Sequence, residues 1–272
     1  MHHQLLDLPP ELLIQILTTL PVKPLLKFAQ TSHYARNLSY SNLHHLSLAI
    51  FPSRRASWHT KLLSARHEPK PPSHPDHDPN KVLIRIPQAW DFDYSTLLAF
   101  HSKMLVSIVN RHACTLQNLN LTLWTLSMPI AEALAALPAL RSLSIRIEST
   151  QLVPRTNLAL QHKEERNAWD LLASAPTFQS RLQALTIENA EVSSSQLTAL
   201  LGGTERLMEL QLSNCNMLTS SLWSSLRVEC VRHLRVADCV NVHVDETALD
   251  AISKMKRLQV RQTQLRSVAL GF

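Results

Sequence analysis

The chain has 272 residues, 45% of them hydrophobic and 18% charged, with a formal net charge of +6 at pH 7. That is the balance of a folded protein rather than a disordered one, and the positive charge allows an acidic partner without by itself indicating nucleic acid. Glycine occurs only at Gly202, Gly203 and Gly271, whereas leucine occurs 49 times, so the glycine-rich loops of dinucleotide enzymes and P-loop nucleotidases, and the G-x-S-x-G elbow, cannot be written anywhere.

The first segment, residues 1–50, opens with Asp7-Leu8-Pro9-Pro10-Glu11, a helix start in which proline pre-sets φ and Glu11 meets the positive end of the dipole. Leu13, Ile16, Leu17 and Leu20 follow at i, i+3, i+4, i+7 and make one apolar stripe. Leu12 and Ile14 lie off it, so the helix needs more than one packing partner. Pro21 and Pro24 end this helix and begin a second with Leu25, Leu26, Phe28 and Ala29; a third runs through Ala35 and Leu38. Helices this short bury too little surface alone, and their excess apolar surface implies docking.

Residues 51–80 read as a basic, proline-rich connection. Arg54, Arg55, Lys61 and Arg66 supply charge, and the prolines between Pro69 and Pro79 exclude helix and sheet. Glu68 to Asn80 is expected to be an exposed loop. Residues 81–272 then follow a repeat, L-x-x-L-x-L with a small residue shortly after. It starts at Leu116, Leu140, Leu182, Leu207, Val231 and Met255, at spacings of 24, 42, 25, 24 and 24. The long interval holds an extra helix from Leu158 through Trp169 to Ala175, while Val82–Ile86 and Thr96–Val109 look like a divergent first unit. A strand plus a helix cannot bury its apolar side alone, so neighbouring units share one core.

Leu8-Pro9-x-Glu11-Leu12-Leu13-x-x-Ile16-Leu17-x-x-Leu20-Pro21-x-x-x-Leu25-Leu26-x-Phe28-Ala29 resembles the F-box, the short helical module of substrate receptors in cullin-based ubiquitin ligases. The second half is similar to the cysteine-containing leucine-rich repeats that often follow an F-box, best at Cys215–Thr219 and Cys239–Val242. The fold implied is α/β: an N-terminal three-helix F-box module followed by a leucine-rich-repeat solenoid. The implied function is substrate recognition in a Skp–cullin–F-box ubiquitin ligase, with a Skp-family adaptor and cullin complex as partners. Carried over residue by residue, Leu8, Pro9, Ile16, Leu17, Leu20, Pro21, Leu25 and Leu26 are expected to face the adaptor or its own helices.

Strand alternation puts the residues between the leucines on the concave side. Arg146, Glu209, Gln211, His233, Arg235, Arg257, Gln259 and Arg261 are the substrate-binding positions this predicts, with an acidic or phosphorylated protein segment as the ligand of the cationic C-terminal end. No catalytic residue, cofactor or metal is expected. His74, Asp76, His77 and Asp78 sit in a proline-rich loop without fixed geometry, and Cys215 and Cys239 fill the repeat's small-residue slot. Cys114, Cys215, Cys230 and Cys239 form no C-x-x-C, and neither a signal peptide nor a membrane span is read, so cytoplasm or nucleus is expected. The alternative is a repeat scaffold, or a protein- or nucleic-acid-binding module, acting outside a ligase. No basic run is interleaved with aromatics to stack bases, and steep salt dependence would distinguish nucleic-acid binding.

Overall fold

The computed structural model describes residues 8–52, 80–86, 91–148, 158–225 and 231–254. Three short helices come first. In α1 (Pro10–Thr19) Pro9 is the N-cap and Glu11 lies in the first turn, which suits the positive end of the dipole. Helix α2 (Val22–Ala29) begins after Pro21, and α3 (His33–Tyr40) is capped by the Ser32 hydroxyl, which accepts from the Ala35 N–H. Leu13, Leu17, Val22, Leu25, Ala29 and Ala35 are buried.

Strands and helices then follow in series: β1 (His45–Pro52), β2 (Lys81–Ile86), α4 (Tyr94–Arg111), β3 (Asn118–Leu123), α5 (Met128–Ala135) and β4 (Ser142–Ile147). The long interval contributes two helices, α6 (Leu158–Ala173) and α7 (Pro176–Gln179). Next come β5 (Ala184–Glu188), α8 (Ser194–Gly202), β6 (Glu209–Ser213), α9 (Ser221–Ser225), β7 (His233–Ala237) and α10 (Glu246–Ser253).

The strands form one parallel sheet in the order β2-β1-β3-β4-β5-β6-β7, so the fold is α/β. The leucine spacing of the sequence becomes register: Leu119, Leu143, Leu185, Leu210 and Leu234 align across the sheet, as do Leu121, Ile145, Ile187, Leu212 and Val236. These rows, with Trp124, Trp169, Phe178 and Trp223, belong to one continuous core that also takes in Leu17, Val22 and Leu25 of the first helices. Full burial of each such side chain contributes about 1.5–3 kcal/mol.

After each of the last three strands one residue takes positive φ: Asn189 at 58°, Asn214 at 53° and Asp238 at 53°. Asn and Asp tolerate this left-handed conformation better than other non-glycine residues, which lets an almost glycine-free chain repeat the same turn. The side chains also join the units. Asn214 Nδ2 donates to Asn189 Oδ1 at 2.8 Å, and Asn189 Nδ2 donates to Ile147 O at 3.1 Å.

Two expectations about organisation are revised. The boundary at residue 50 falls inside β1, which pairs with both β2 and β3 and is an interior strand. The segment at 82–86 does form a strand, but it lies outside β1 rather than next to β3. Alternation in Leu46-x-Leu48-x-Ile50 places these three side chains in the common core, and Leu46 and Leu48 align with Leu119 and Leu121. Of the expected loop at 68–80, only Asn80 is among the described residues, and its side-chain oxygen accepts from Val22 N–H at 3.2 Å.

Candidate functional site

Two surfaces carry the side chains that the sequence singles out. The first is the outer side of α1. Residues one turn apart share a helix face, and here Leu12 and Ile16 share the solvent side, 47% and 38% exposed, while Leu13 and Leu17 are turned into the core. Leu8 and Pro9 precede them and are exposed, and Leu20, Pro21 and Leu26 are half-buried. Leu17 and Leu25 are at most 2% exposed, so of the eight residues named for an adaptor these two pack against their own chain. Leu12, absent from that set, is exposed on this side; Ile14 and Tyr34 are exposed as well. The departure of Leu12 from the main apolar stripe was the signal in the sequence.

The second surface is the side of the sheet opposite the leucine rows. Arg146 Nε lies 3.6 Å from Glu148 Oε1 and 3.6 Å from Glu188 Oε1, so two carboxylates share this cation. Register sets Glu209 beside His233 and Gln211 beside Arg235, and Gln211 Nε2 donates to Glu209 Oε1. Arg235 is exposed. Over β4 to β6 this face is therefore of mixed sign. Arg257, Gln259 and Arg261 lie outside the described residues.

Elsewhere two buried thiols shift in opposite directions, and the hydrogen bond with Cys215 lowers the Cys239 pKa to about 7. The thiols of Cys215 and Cys239 hydrogen-bond to one another, and that bond, reinforced by burial, raises the Cys215 pKa far above the ordinary thiol range. Among the described residues no three His, Cys, Asp or Glu side chains form a group able to hold a metal ion, and no helix is long and apolar enough to cross a membrane. The loop with His74, Asp76, His77 and Asp78 is outside the described residues.

Residues 5–46 match the family model of the F-box domain. The matched stretch takes in α1, α2 and α3 and reaches the first residues of β1. The N-terminal helices thus match an F-box module, a class of domain that in general binds a Skp-family adaptor within cullin complexes. No curated protein matches the chain.

Proposed function

We propose that the chain is the substrate-recognition subunit of a Skp–cullin–F-box ubiquitin ligase. The observation that carries this reading is the F-box match at residues 5–46 over a helix whose Leu12 and Ile16 are apolar and open to solvent. An unpaired apolar pair on a short helix is the feature a partner helix buries. In this reading Leu8, Pro9, Leu12 and Ile16 hold the adaptor, while Leu17 and Leu25 fix the helix that presents them. The strand–helix units are a leucine-rich-repeat solenoid whose open sheet face, with Arg146, Glu209, Gln211, His233 and Arg235, receives a protein substrate. The chain performs no chemistry itself; it brings substrate to the ubiquitin-charged conjugating enzyme, in the cytoplasm or nucleus.

Co-purification of the full chain with a Skp-family adaptor tests this. Wild type is expected to retain the adaptor at high as well as low salt, because an apolar interface is little affected by screening, and Leu12→Ala/Ile16→Ala is expected to lose it. Failure of the folded wild-type chain to bind, or equal binding by the folded variant, overturns the reading.

A further inference from the structure

On one side the parallel sheet ends at β2, which pairs with β1 alone. Ser47 N–H donates to Asn80 O at 3.3 Å, and this bond sets the direction of the peptide groups that follow. In a parallel ladder the N–H and C=O of one residue face one neighbour, and those of the next residue face the other way. Val82, Ile84 and Ile86 therefore turn their amides to β1, while Leu83 and Arg85 turn theirs outward. Among the described residues nothing hydrogen-bonds to Leu83 or Arg85 on that outer side. The strand is nevertheless firmly seated. Asn80 Oδ1 accepts from Val22 N–H at 3.2 Å, Ile86 belongs to the core, and Val82 and Ile84 pack against it.

Side chains add a chemical preference to this edge. With Val82, Ile84 and Ile86 facing the core, alternation sets Lys81, Leu83 and Arg85 together on the open side. Leu83 is 46% exposed and Arg85 is exposed. Among the described residues no carboxylate pairs with Arg85. An edge strand is a template for a further strand, and its charges decide which strand it admits. A second copy of this chain is a poor fit. Antiparallel pairing centred on Leu83 would set Arg85 opposite Lys81, cation against cation, between molecules that each carry +6. An acidic strand meets the opposite situation.

We propose that the outer edge of β2 takes up an extended segment of a partner protein as an added strand, with an apolar residue against Leu83 and an acidic residue against Arg85. Main-chain hydrogen bonds to Leu83 and Arg85 supply the affinity, and the alternate side chains supply the choice of partner. The guanidinium fork of Arg85 matches a carboxylate and is always charged. Nucleic acid has no peptide groups with which to extend the ladder, so the partner is a protein. The edge uses none of the residues assigned to the adaptor or to the sheet-face substrate, and the proposal stands without the ligase reading.

The test is fluorescence anisotropy of a labelled peptide, Thr-Glu-Thr-Val-Thr-Glu-Thr, with the full chain at stepped salt concentrations. Its two acids flank the valine, so one meets Arg85 in either strand direction. Leu83→Pro removes an outward N–H and leaves the ladder to β1 intact, as proline on an edge strand allows; Leu83→Ala keeps that N–H. Wild type is expected to bind saturably, Leu83→Pro to lose about tenfold in affinity and Leu83→Ala less. Arg85→Glu should weaken binding at low salt, by a factor that shrinks as salt is raised. A backbone N-methylated form of the peptide, tested on wild type, should not bind, and this arm needs no folded variant. No binding of the unmodified peptide by wild type, equal binding of the N-methylated form, equal losses in the two Leu83 variants, or unchanged binding by Arg85→Glu overturns the proposal. If wild type dimerises and Leu83→Pro makes it monomeric, the edge pairs with a second copy and the acidic partner falls.

Discussion

The His101 imidazole stacks on the Trp124 indole, with ring centroids 4.6 Å apart and planes 19° apart. Trp124 is itself tied to the first strand, its Nε1 donating to Ile50 O at 2.7 Å. Neither His101 nitrogen has a hydrogen-bond partner, and burial lowers its pKa from 6.5 to about 3.

This makes the fold sensitive to acid. The folded state keeps His101 neutral, whereas the unfolded chain takes up a proton below its ordinary pKa. The stabilisation is present in full above pH 6.5 and is lost as pH falls toward 3, at about 1.4 kcal/mol per pH unit within that window. Burial also lowers the His112 pKa, which adds in the same direction. His101→Phe should flatten the dependence of unfolding free energy on pH between 6 and 4 in urea titrations. An unchanged slope would assign the acid sensitivity to other groups.

The asparagine link between units predicts a graded pair of variants. Asn214→Ala loses both the bond to Asn189 and a residue that tolerates positive φ, at about 2 kcal/mol in total. Asn214→Gly restores the backbone freedom and should cost about 1 kcal/mol. Equilibrium denaturation measures both, and equal losses would show that conformation contributes nothing.

Glu165 is a buried carboxylate that joins the long helix of the irregular interval to its neighbours. Its Oε1 accepts from Glu191 N–H at 2.9 Å and from Trp169 Nε1 at 3.5 Å, and Thr125 Oγ1 donates to its Oε2 at 3.5 Å. Glu165→Ala should cost about 3 kcal/mol by leaving buried donors unpaired and a cavity behind. Glu165→Gln keeps an acceptor and should cost less. Thermal unfolding that ranks the two the other way would mean that the charge, not the acceptor, matters.

Burial separates two classes of leucine in α1. Leu17→Ala removes a side chain 1% exposed and is expected to lower stability by about 2–5 kcal/mol. Leu12→Ala should change stability by less than about 0.5 kcal/mol. Differential scanning calorimetry of the two single variants checks this, and similar shifts would mean that Leu12 is covered in solution.

Much of this architecture was visible as spacing. The rows from Leu119 to Leu234 and from Leu121 to Val236 follow because a period near 24 with alternating leucines can bury its apolar side only in register. The interval of 42 announced its additional helical content. The third helix was legible through Ala35 and Leu38; its start behind the Ser32 cap is supplied by the structure. Neighbour choice was not. His45–Pro52 carries a strand's alternation, but nothing local shows that it lies between β2 and β3, because parallel strands find each other through tertiary packing. Periodicity likewise put Ile16 and Leu17 in one stripe of α1 without saying which would be covered. That depends on the rest of the core, which takes Leu17 and leaves Ile16 outside.

The position of β1 has a mechanical consequence. The helices matched to the F-box continue into a strand hydrogen-bonded on both sides, so the module is not a handle swinging on a tether. Whatever seats on α1 is held at a set distance and angle from whatever lies across the sheet. Reach between the two partners is thus dictated by ladder geometry, and lengthening the connection between β1 and β2 would leave it unaltered. Only changing the number of strands between them would move one partner with respect to the other.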